Sequence, residues 1–278
     1  MKTTILGLLA ETAVHPGAGQ DTGFVDLPVA REAATDYPVI VGSSFKGALL
    51  DRARANNRER QDSQIDCDRI FGKQDNAGSL LVSDVRLMLL PVRSLTSHYK
   101  WVTCSHLLER LQRDLKRAGC DGKGFRSPDL DSGQYLGEGE ESLFLEERQF
   151  QCRGKLPDGL VDLIGSLIVH DETKKRLAEQ CVILHDNDFS WFARFGLAVN
   201  ARNVLHHQTK TSENLWYEET IPPDSLFYSL LADRNGGQSL KEIEKLLDVL
   251  PYIQVGGNET VGQGWFAVKH VQQQGSAA

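Results

Sequence analysis

The order of apolar and polar positions predicts the first elements of the chain. Residues 2–9 form an apolar run that predicts an initial β-strand. A small-residue turn follows the strand-like sequence PVIV, and Ser43 or Ser44 is placed to cap a helix running to about Asn56. Apolar residues recur on one face of that helix, at Phe45, Ala48, Leu49 and Ala53.

The same patterning predicts the elements of the rest of the chain. The last helix begins with a capping-box sequence, in which Ser239 precedes Glu242 by three residues. The predicted elements are a strand at 79–92, an amphipathic helix at 103–119, a strand at 142–152, short helices at 157–168 and 172–181, strand-like stretches at 192–205 and 214–232, a helix at 239–251, and a glycine-interrupted strand at 252–271.

This order of elements predicts an α+β fold. Strand, helix, strand, hairpin, helix and strand, in that sequence, match a ferredoxin-like (RRM-like) βαββαβ core. We expect one domain over 1–278, with the core at roughly 1–100 and 222–278. Insertions then occupy roughly 101–190, and a long hairpin roughly 195–222.

Composition narrows the class of protein. The chain is 40% hydrophobic and 25% charged, as in ordinary globular proteins, and no apolar run approaches the length of a membrane span. Its start reads as a strand and not as a signal peptide. Five scattered cysteines without a C-x-x-C pair argue against a disulfide framework or a zinc site, and favour the cytoplasm.

Charge is distributed unevenly along the chain. The net charge of −7 argues against a non-specific nucleic-acid binder. Residues 93–126 hold eight Lys/Arg against three Asp/Glu, whereas 127–147 hold seven Asp/Glu and no Lys/Arg. Two interpretations stay open: complementary patches for head-to-tail assembly of identical subunits, or solvated faces that happen to be segregated.

The sequence GSSFKG is a candidate anion site. The start of a helix presents unpaired N–H groups, to which Ser43 and Ser44 add hydroxyls and Lys46 adds a positive charge. The lysine precedes the second glycine, so this is not a Walker A loop. A capped helix with an exposed lysine is an equally good interpretation.

The sequence GGNETVGQGWF is a candidate second half of that site. Its glycines, Gly256, Gly257, Gly262 and Gly264, allow main-chain amides to approach a ligand. A flexible hairpin turn is the alternative. In a ferredoxin-like core, the loop after the last helix can lie close to the start of the first helix.

His15 and Asp26 are weak candidates by themselves. The carboxylate of Asp26 is isolated between apolar residues just before the predicted helix. The pairs His170–Asp171 and His185–Asp186 suggest an HD-type phosphohydrolase, but that family needs further metal ligands on helices.

Taken together, these motifs resemble the RAMP superfamily. The stretch HPGAGQDTGFVDLPVAREAATDYPVIVGSSFKGALL, followed by LWYEETIPPDSLFY and GGNETVGQGWF, is most similar to the backbone subunit of the type III-B (Cmr) CRISPR interference complex. The resemblance touches nearly the whole chain.

The resemblance implies a ferredoxin-like palm with a β-hairpin thumb. Copies of the subunit stack in a helical filament along one CRISPR RNA (crRNA), together with other subunits of the complex. The complementary target RNA is cleaved at regular six-nucleotide intervals with Mg²⁺ or another divalent cation. By motif, Asp26 is the cleavage residue and a weak metal ligand completed by RNA oxygens, with His15 and Glu218 or Glu219 as possible helpers. The guide-RNA contacts carried over are Ser43, Ser44, Lys46, Arg52, Gly256, Gly257, Gly262, Gln263 and Gly264.

The acidic net charge requires a local basic stripe for RNA, which we expect at Arg31, Lys46, Arg52 and Arg54. Two other functions stay open. One is a non-catalytic filament subunit, and the other is a stand-alone ribonuclease that processes CRISPR transcripts.

Overall fold

The computed structural model of the chain describes residues 1–20, 23–60, 64–120, 126–139 and 141–271. Parts of the predicted insertion, at 121–125 and 140, lie outside the described residues. In the described part of the chain, no helix is long and apolar enough to cross a membrane. All five cysteines are free thiols.

Most strands belong to one 12-stranded mixed sheet, which confirms the predicted α+β class. The strands are β1 Lys2–Ala10, β2 Val39–Ile40, β3 Gly72–Lys73, β4 Asn76–Ala77, β5 Leu80–Val82, β6 Val85–Arg93, β7 Tyr99–Cys104, β8 Gln134–Gly137, β9 Ser142–Leu145, β10 Arg148–Gly154, β11 Cys181–Leu184, β12 Ala198–Leu205, β13 Ser212–Thr220, β14 Leu226–Asp233, β15 Tyr252–Gln254 and β16 Trp265–Val271.

The sheet has an antiparallel half and a mixed half. Its order is β15-β16-β1-β14-β6-β7-β11-β8-β10-β9, with β2 beside β6 and β5 beside β14. From β15 to β7 every neighbouring pair is antiparallel. Parallel pairing occurs only farther along this sheet, between β7 and β11 and between β8 and β10. The middle of the chain therefore extends the first half of the sheet instead of forming a separate one.

Within the described residues there are seven α-helices and one short 3-10 helix, Glu259–Val261. The α-helices are α1 Gly42–Glu59, α2 Cys67–Phe71, α3 Ser105–Arg117, α4 Leu160–Gly165, α5 Asp171–Gln180, α6 Asp186–Phe195 and α7 Gln238–Val249. Helices α1 and α7 pack together over the β5, β14 and β15 part of the sheet, whereas α3, α5 and α6 contact β7. Phe45 and Leu49 of α1 are fully buried, and each such side chain stabilises the fold by about 1.5–3 kcal/mol.

Two predicted strands are each interrupted. The apolar run 79–92 divides into β5 and β6 at Ser83 and Asp84. At this point the Leu230 amide of β14 donates to the Ser83 hydroxyl, at 2.9 Å, and not to a main-chain carbonyl of the neighbouring strand. The run 142–152 is the hairpin β9–β10, and Glu146 in its turn has a positive φ of 49°.

Two other local predictions were wrong. Residues 192–195 end α6 and are not part of a strand. Ser239 does not cap α7: Gly237 is the N-cap, and the carboxylate of Asp233 accepts the Ser239 amide at 2.9 Å. Burial alone would raise the pKa of Asp233, but main-chain N–H donors hold that pKa below its usual value. The cap therefore comes from the preceding strand.

The hairpin β12–β13 forms a separate two-stranded sheet. Its strands pair from Ala198 with Thr220 outward to Leu205 with Ser212. Five large apolar residues of this hairpin are exposed, namely Val199, Val204, Leu205, Leu215 and Tyr217. The predicted long hairpin is therefore present, and an apolar surface of it faces solvent.

The segregated charges are partly neutralised inside the chain. Arg93, from the basic segment, pairs with Glu146 of the acidic segment at 2.6 Å. Arg110 makes a half-buried bidentate contact with Glu32 at 2.7 and 3.0 Å. These intramolecular pairs weaken the case for head-to-tail assembly through the two patches.

Candidate functional site

The start of α1 is capped by a residue that the sequence analysis did not select. The N-cap position is Val41, whose side chain makes no cap, so the predicted capping by Ser43 or Ser44 was wrong. The carboxylate of Asp84 instead accepts the Gly42 amide at 2.7 Å, because the break between β5 and β6 places it there. A negative charge thus already lies at the positive end of the helix.

The remaining groups at this helix start can still contact an anion. Ser43 and Ser44 are exposed, and Lys46 is half-buried without an ion pair to any other described residue. The amides of Ser44 and Phe45 turn back onto the Val41 carbonyl, at 3.0 and 3.2 Å. Hydroxyls and a lysine, more than free helix amides, are therefore what this surface offers to a phosphate.

The start of α1 and the late glycine loop line one groove, with a volume of about 640 Å³. Of the predicted RNA-binding residues, Ser44, Arg52, Gly256 and Gly257 lie on its wall, whereas Ser43, Lys46, Gly262, Gln263 and Gly264 do not. Pro16 and Gly17, from the loop after β1, complete the same wall. The start of α1 and the glycine loop, which the sequence predicted to form one site, therefore lie on one surface, although about 200 residues separate them in the chain.

The charges of the groove differ from the predicted stripe. Arg52 contributes a buried Nε atom that has no hydrogen-bond partner among the described residues, and Arg58 is a further basic wall residue that was not predicted. Arg31 is not available, since it pairs with Glu219 at 2.6 Å. Arg54 lies off the wall and pairs with Asp51 at 3.7 Å.

Most amides of the glycine loop are used within the protein. The Gly257 amide donates to the His15 carbonyl, and the Gly264 amide donates to the Ala13 carbonyl. Both acceptors are in the loop after β1, and both distances are 2.9 Å. Gly262 and Gln263 donate to Glu259 and Asn258 inside the loop. These amides hold the shape of the loop and its attachment to residues 13–15, so they are not free for phosphate.

Asp26 lies on an exposed stretch beside the base of the hairpin. Its Oδ2 atom accepts the main-chain N–H of Tyr217 at 2.7 Å. The next residue, Leu27, forms a parallel bridge with Glu218. Asp26 makes no ion pair within the described part of the chain, and its Oδ1 atom takes no part in this hydrogen bond. The carboxylate is thus oriented by the hairpin and open to a ligand.

His15 is buried, at 7% exposure, and it joins two segments. Its Nδ1–H donates to the Glu219 carbonyl at 2.8 Å, and its own carbonyl accepts the Gly257 amide. The role of His15 as a helper of Asp26 stays a prediction; the ring is buried, and its Nδ1–H is used by the Glu219 carbonyl. His15 fixes the glycine loop against the hairpin base.

The two candidate glutamates are also buried and paired. Glu219 binds Arg31 through Oε1 and the Val29 amide through Oε2, at 2.6 and 3.0 Å. Glu218 accepts from Asn258 at 2.6 Å and from Arg202 at 3.3 Å. Both carboxylates are buried and paired, Glu219 through both oxygens and Glu218 through Oε1, which is the arrangement of structural groups.

A protein metal site is not formed by these residues. No group of three or more His, Cys, Asp or Glu side chains within the described ranges is arranged to hold a metal ion. Asp26 would be a single ligand, with one oxygen already engaged by an amide. A divalent cation needs about six oxygen ligands, so the chain alone does not fit a resident metal.

Comparison with known proteins identifies the family. The family model described as the RAMP superfamily matches residues 8–267. A curated protein from Pyrococcus furiosus, named CRISPR system Cmr endoribonuclease Cmr4, is 33% identical over 96% of this chain and 95% of its own length. A crystal structure of oligomeric Cmr4 from Pyrococcus furiosus has a TM-score of 0.76 at 28% identity, covering 98% of both chains.

A cryo-EM structure of a type III-B Cmr-β complex bound to cognate target RNA includes a chain of the same fold. Its TM-score is 0.77 at 20% identity, over 98% of both chains. The sequence match, the family model and the shared fold agree over nearly the full length. The chain belongs to the RAMP superfamily and, within it, to the Cmr4 family.

Proposed function

We propose that this chain is the backbone subunit of a type III-B CRISPR complex, which binds the crRNA and cleaves the paired target RNA. In this proposal several copies line one guide, and the complex acts in antiviral defence in the cytoplasm. Two comparisons support it: a relative named endoribonuclease aligns over nearly the whole chain, and a chain of the same fold occurs in a complex with target RNA.

The fold is consistent with a ferredoxin-like palm and a thumb. Strand β1 lies between β14 and β16, and β6 lies beyond β14, all antiparallel. Helices α1 and α7 make the two crossovers, as in a βαββαβ unit. We assign the palm to roughly 1–100 and 222–278, and the thumb to the separate hairpin β12–β13.

One observation carries the functional proposal. The segment after β1 contacts both candidate surfaces: Pro16 and Gly17 line the groove, and Asp26 binds the hairpin base. A guide strand in the groove would therefore run beside the carboxylate, and Asp26 would face the strand paired to it. A groove and an acid on unrelated faces of the protein would not allow this arrangement.

The geometry limits what Asp26 can do. Its Oδ2 accepts from the Tyr217 amide, which fixes the plane of the carboxylate and leaves Oδ1 for the substrate. Oδ1 can accept a hydrogen bond from an RNA 2′-hydroxyl and take its proton as the 2′-oxygen attacks the adjacent phosphate in line. The P–O5′ bond then breaks to leave a 2′,3′-cyclic phosphate, and solvent water protonates the departing 5′-oxygen. The buried neighbours His15, Glu218 and Glu219 hold the loop in place and do not contact the substrate in this proposal.

We also propose that cleavage requires Mg²⁺ held chiefly by RNA oxygens, since the protein supplies one carboxylate. In the assembled complex with guide RNA, a complementary target is expected to yield fragments six nucleotides apart on a denaturing gel. Chelation with EDTA should stop cleavage and leave target binding intact. Cleavage that continues in EDTA would refute the metal requirement, and irregular fragments would refute the spacing.

Replacing Lys46 with alanine is expected to weaken binding of guide RNA most strongly at low salt. Loss of one phosphate contact should reduce the slope of log K against log salt concentration by about 0.7. Fluorescence anisotropy over a salt series measures this slope. Lys155, an exposed lysine outside the groove, provides the matched control Lys155→Ala. Equal slopes for Lys46→Ala and the wild type would remove Lys46 from the guide contact.

A further inference from the structure

The buried carboxylate of Glu218 connects the glycine loop to the hairpin. Its side chain is 3% exposed, and its Oε1 atom accepts both from Asn258 in the loop, at 2.6 Å, and from Arg202 on β12, at 3.3 Å. A buried charge is strongly destabilising unless it is paired. The position of Glu218 therefore depends on both segments at once.

Glu218 also lies between two contacts that hold the Asp26 loop. The preceding residue, Tyr217, donates its amide to Asp26, and the following residue, Glu219, accepts the Val29 amide. Leu27 forms its bridge with Glu218 itself. A displacement of the Glu218 backbone would therefore move the donor that orients the Asp26 carboxylate.

Asn258 is the contact from the groove side. It follows Gly256 and Gly257, which line the groove, and it adopts a positive φ of 61°. Its side chain donates to Gln263 as well as to Glu218, and its carbonyl accepts two amides of the loop. A change in the glycine loop would reach Glu218 through this side chain.

We propose that Glu218 is a positioning residue that couples the guide groove to Asp26 through Asn258. The inference rests on the proposed function. A guide strand seated against Gly256 and Gly257 holds Asn258 in place, Asn258 holds Glu218, and Glu218 places the Tyr217 amide. Asp26 then presents Oδ1 in the orientation needed for cleavage. Glu218 itself does not contact RNA. Through this series of contacts, binding of the guide strand determines whether Asp26 is oriented for cleavage.

The test uses the assembled, guide-loaded complex with four variants of this subunit: Glu218→Gln, Asn258→Ala, the double variant and the control Glu147→Gln. Glu147 is an exposed acid in the turn between β9 and β10. Single-turnover cleavage, with the complex in saturating excess over the target, and the target Kd are measured for each. Each single variant should slow cleavage by about tenfold, while guide loading and target Kd stay within about twofold of the wild type.

The double variant separates coupling from independent damage. Glu218→Gln keeps an acceptor oxygen but removes the charge that strengthens the contact with Asn258, and Asn258→Ala removes the donor. Because both changes act on the same contact, the double variant should cleave no more slowly than the slower single variant. Multiplied effects, unchanged cleavage in both single variants, or a parallel loss of guide loading or target affinity would overturn the proposal. The control should cleave as the wild type does.

Amide hydrogen exchange tests the coupling through Asn258 separately from the proposed cleavage function. Asn258→Ala should speed amide exchange at residues 217–219 in the guide-loaded complex, whether or not the complex cleaves RNA. A wild-type complex that does not cleave would refute the proposed function alone. Unchanged exchange at 217–219 in Asn258→Ala would refute the coupling alone.

Discussion

Replacing Asp26 with asparagine is expected to slow target cleavage by about 10²–10⁴-fold while guide and target binding remain. The side chain is exposed, and its one hydrogen bond in the described structure is the contact with the Tyr217 amide at 2.7 Å. Asparagine keeps an oxygen for that contact but loses the negative charge and the second acceptor. Stability should therefore stay within about 0.5 kcal/mol of the wild type.

The measurement is single-turnover cleavage by the reconstituted complex, with target Kd measured in parallel. Asp75→Asn is the matched control, because Asp75 is an exposed acid away from the groove and the hairpin. Undiminished cleavage by Asp26→Asn would remove Asp26 from the mechanism. A wild-type complex that binds target without cutting would instead favour the non-catalytic filament subunit.

Replacing Gly264 with alanine is expected to destabilise the protein by about 3 kcal/mol or more. Gly264 has a φ of +82°, and a Cβ atom there would lie 2.2 Å from the Val255 carbonyl oxygen. That carbonyl is main chain, and the Val255 N–H donates a hydrogen bond of 2.8 Å to the Gly264 carbonyl, which closes the base of the loop. The clash would therefore separate the two ends of the glycine loop.

Gly262 provides the matched control for this loop. Its φ is +81°, almost the same as that of Gly264, but beyond its chain neighbours no atom of the described residues lies within 4 Å of the position that a Cβ would take. Gly262→Ala should thus cost only the left-handed backbone strain, about 1–2 kcal/mol. Urea unfolding monitored by circular dichroism compares the two variants. Equal losses of stability would show that the contact with Val255 is not what requires glycine at 264.

Local patterning was sufficient for the main elements of the fold. The apolar spacing of Leu107, Leu108, Leu111 and Leu115 predicted α3, and these four side chains are buried in the structure. The prediction of β1 was equally accurate, because a continuous apolar run is what a strand covered on both faces requires. Periodicity depends only on residues that are close together in the sequence, so it can be recognised without the tertiary structure.

The helix caps were predicted wrongly, because the side chains that bind the first helix amides are aspartates on other elements of the fold and not the local serines. Ser43 and Ser239 satisfied the local rules for a cap, yet Asp84 and Asp233 bind the first amides of α1 and α7. Asp84 lies within the run 79–92, which the sequence predicted as one strand. Its role depended on how β5 and β6 pair with β14, which no local rule contains.

The sequence by itself determined the family, the order of the elements and the identity of the exposed acid at position 26. Only the tertiary structure decided which charged groups are free. Arg31 and Glu219 neutralise each other across 188 residues, and His15 turns inward to the Glu219 carbonyl. The reason is physical: burial makes an unpaired charge so costly that each takes the nearest partner in space. That partner is set by the packing of the whole chain.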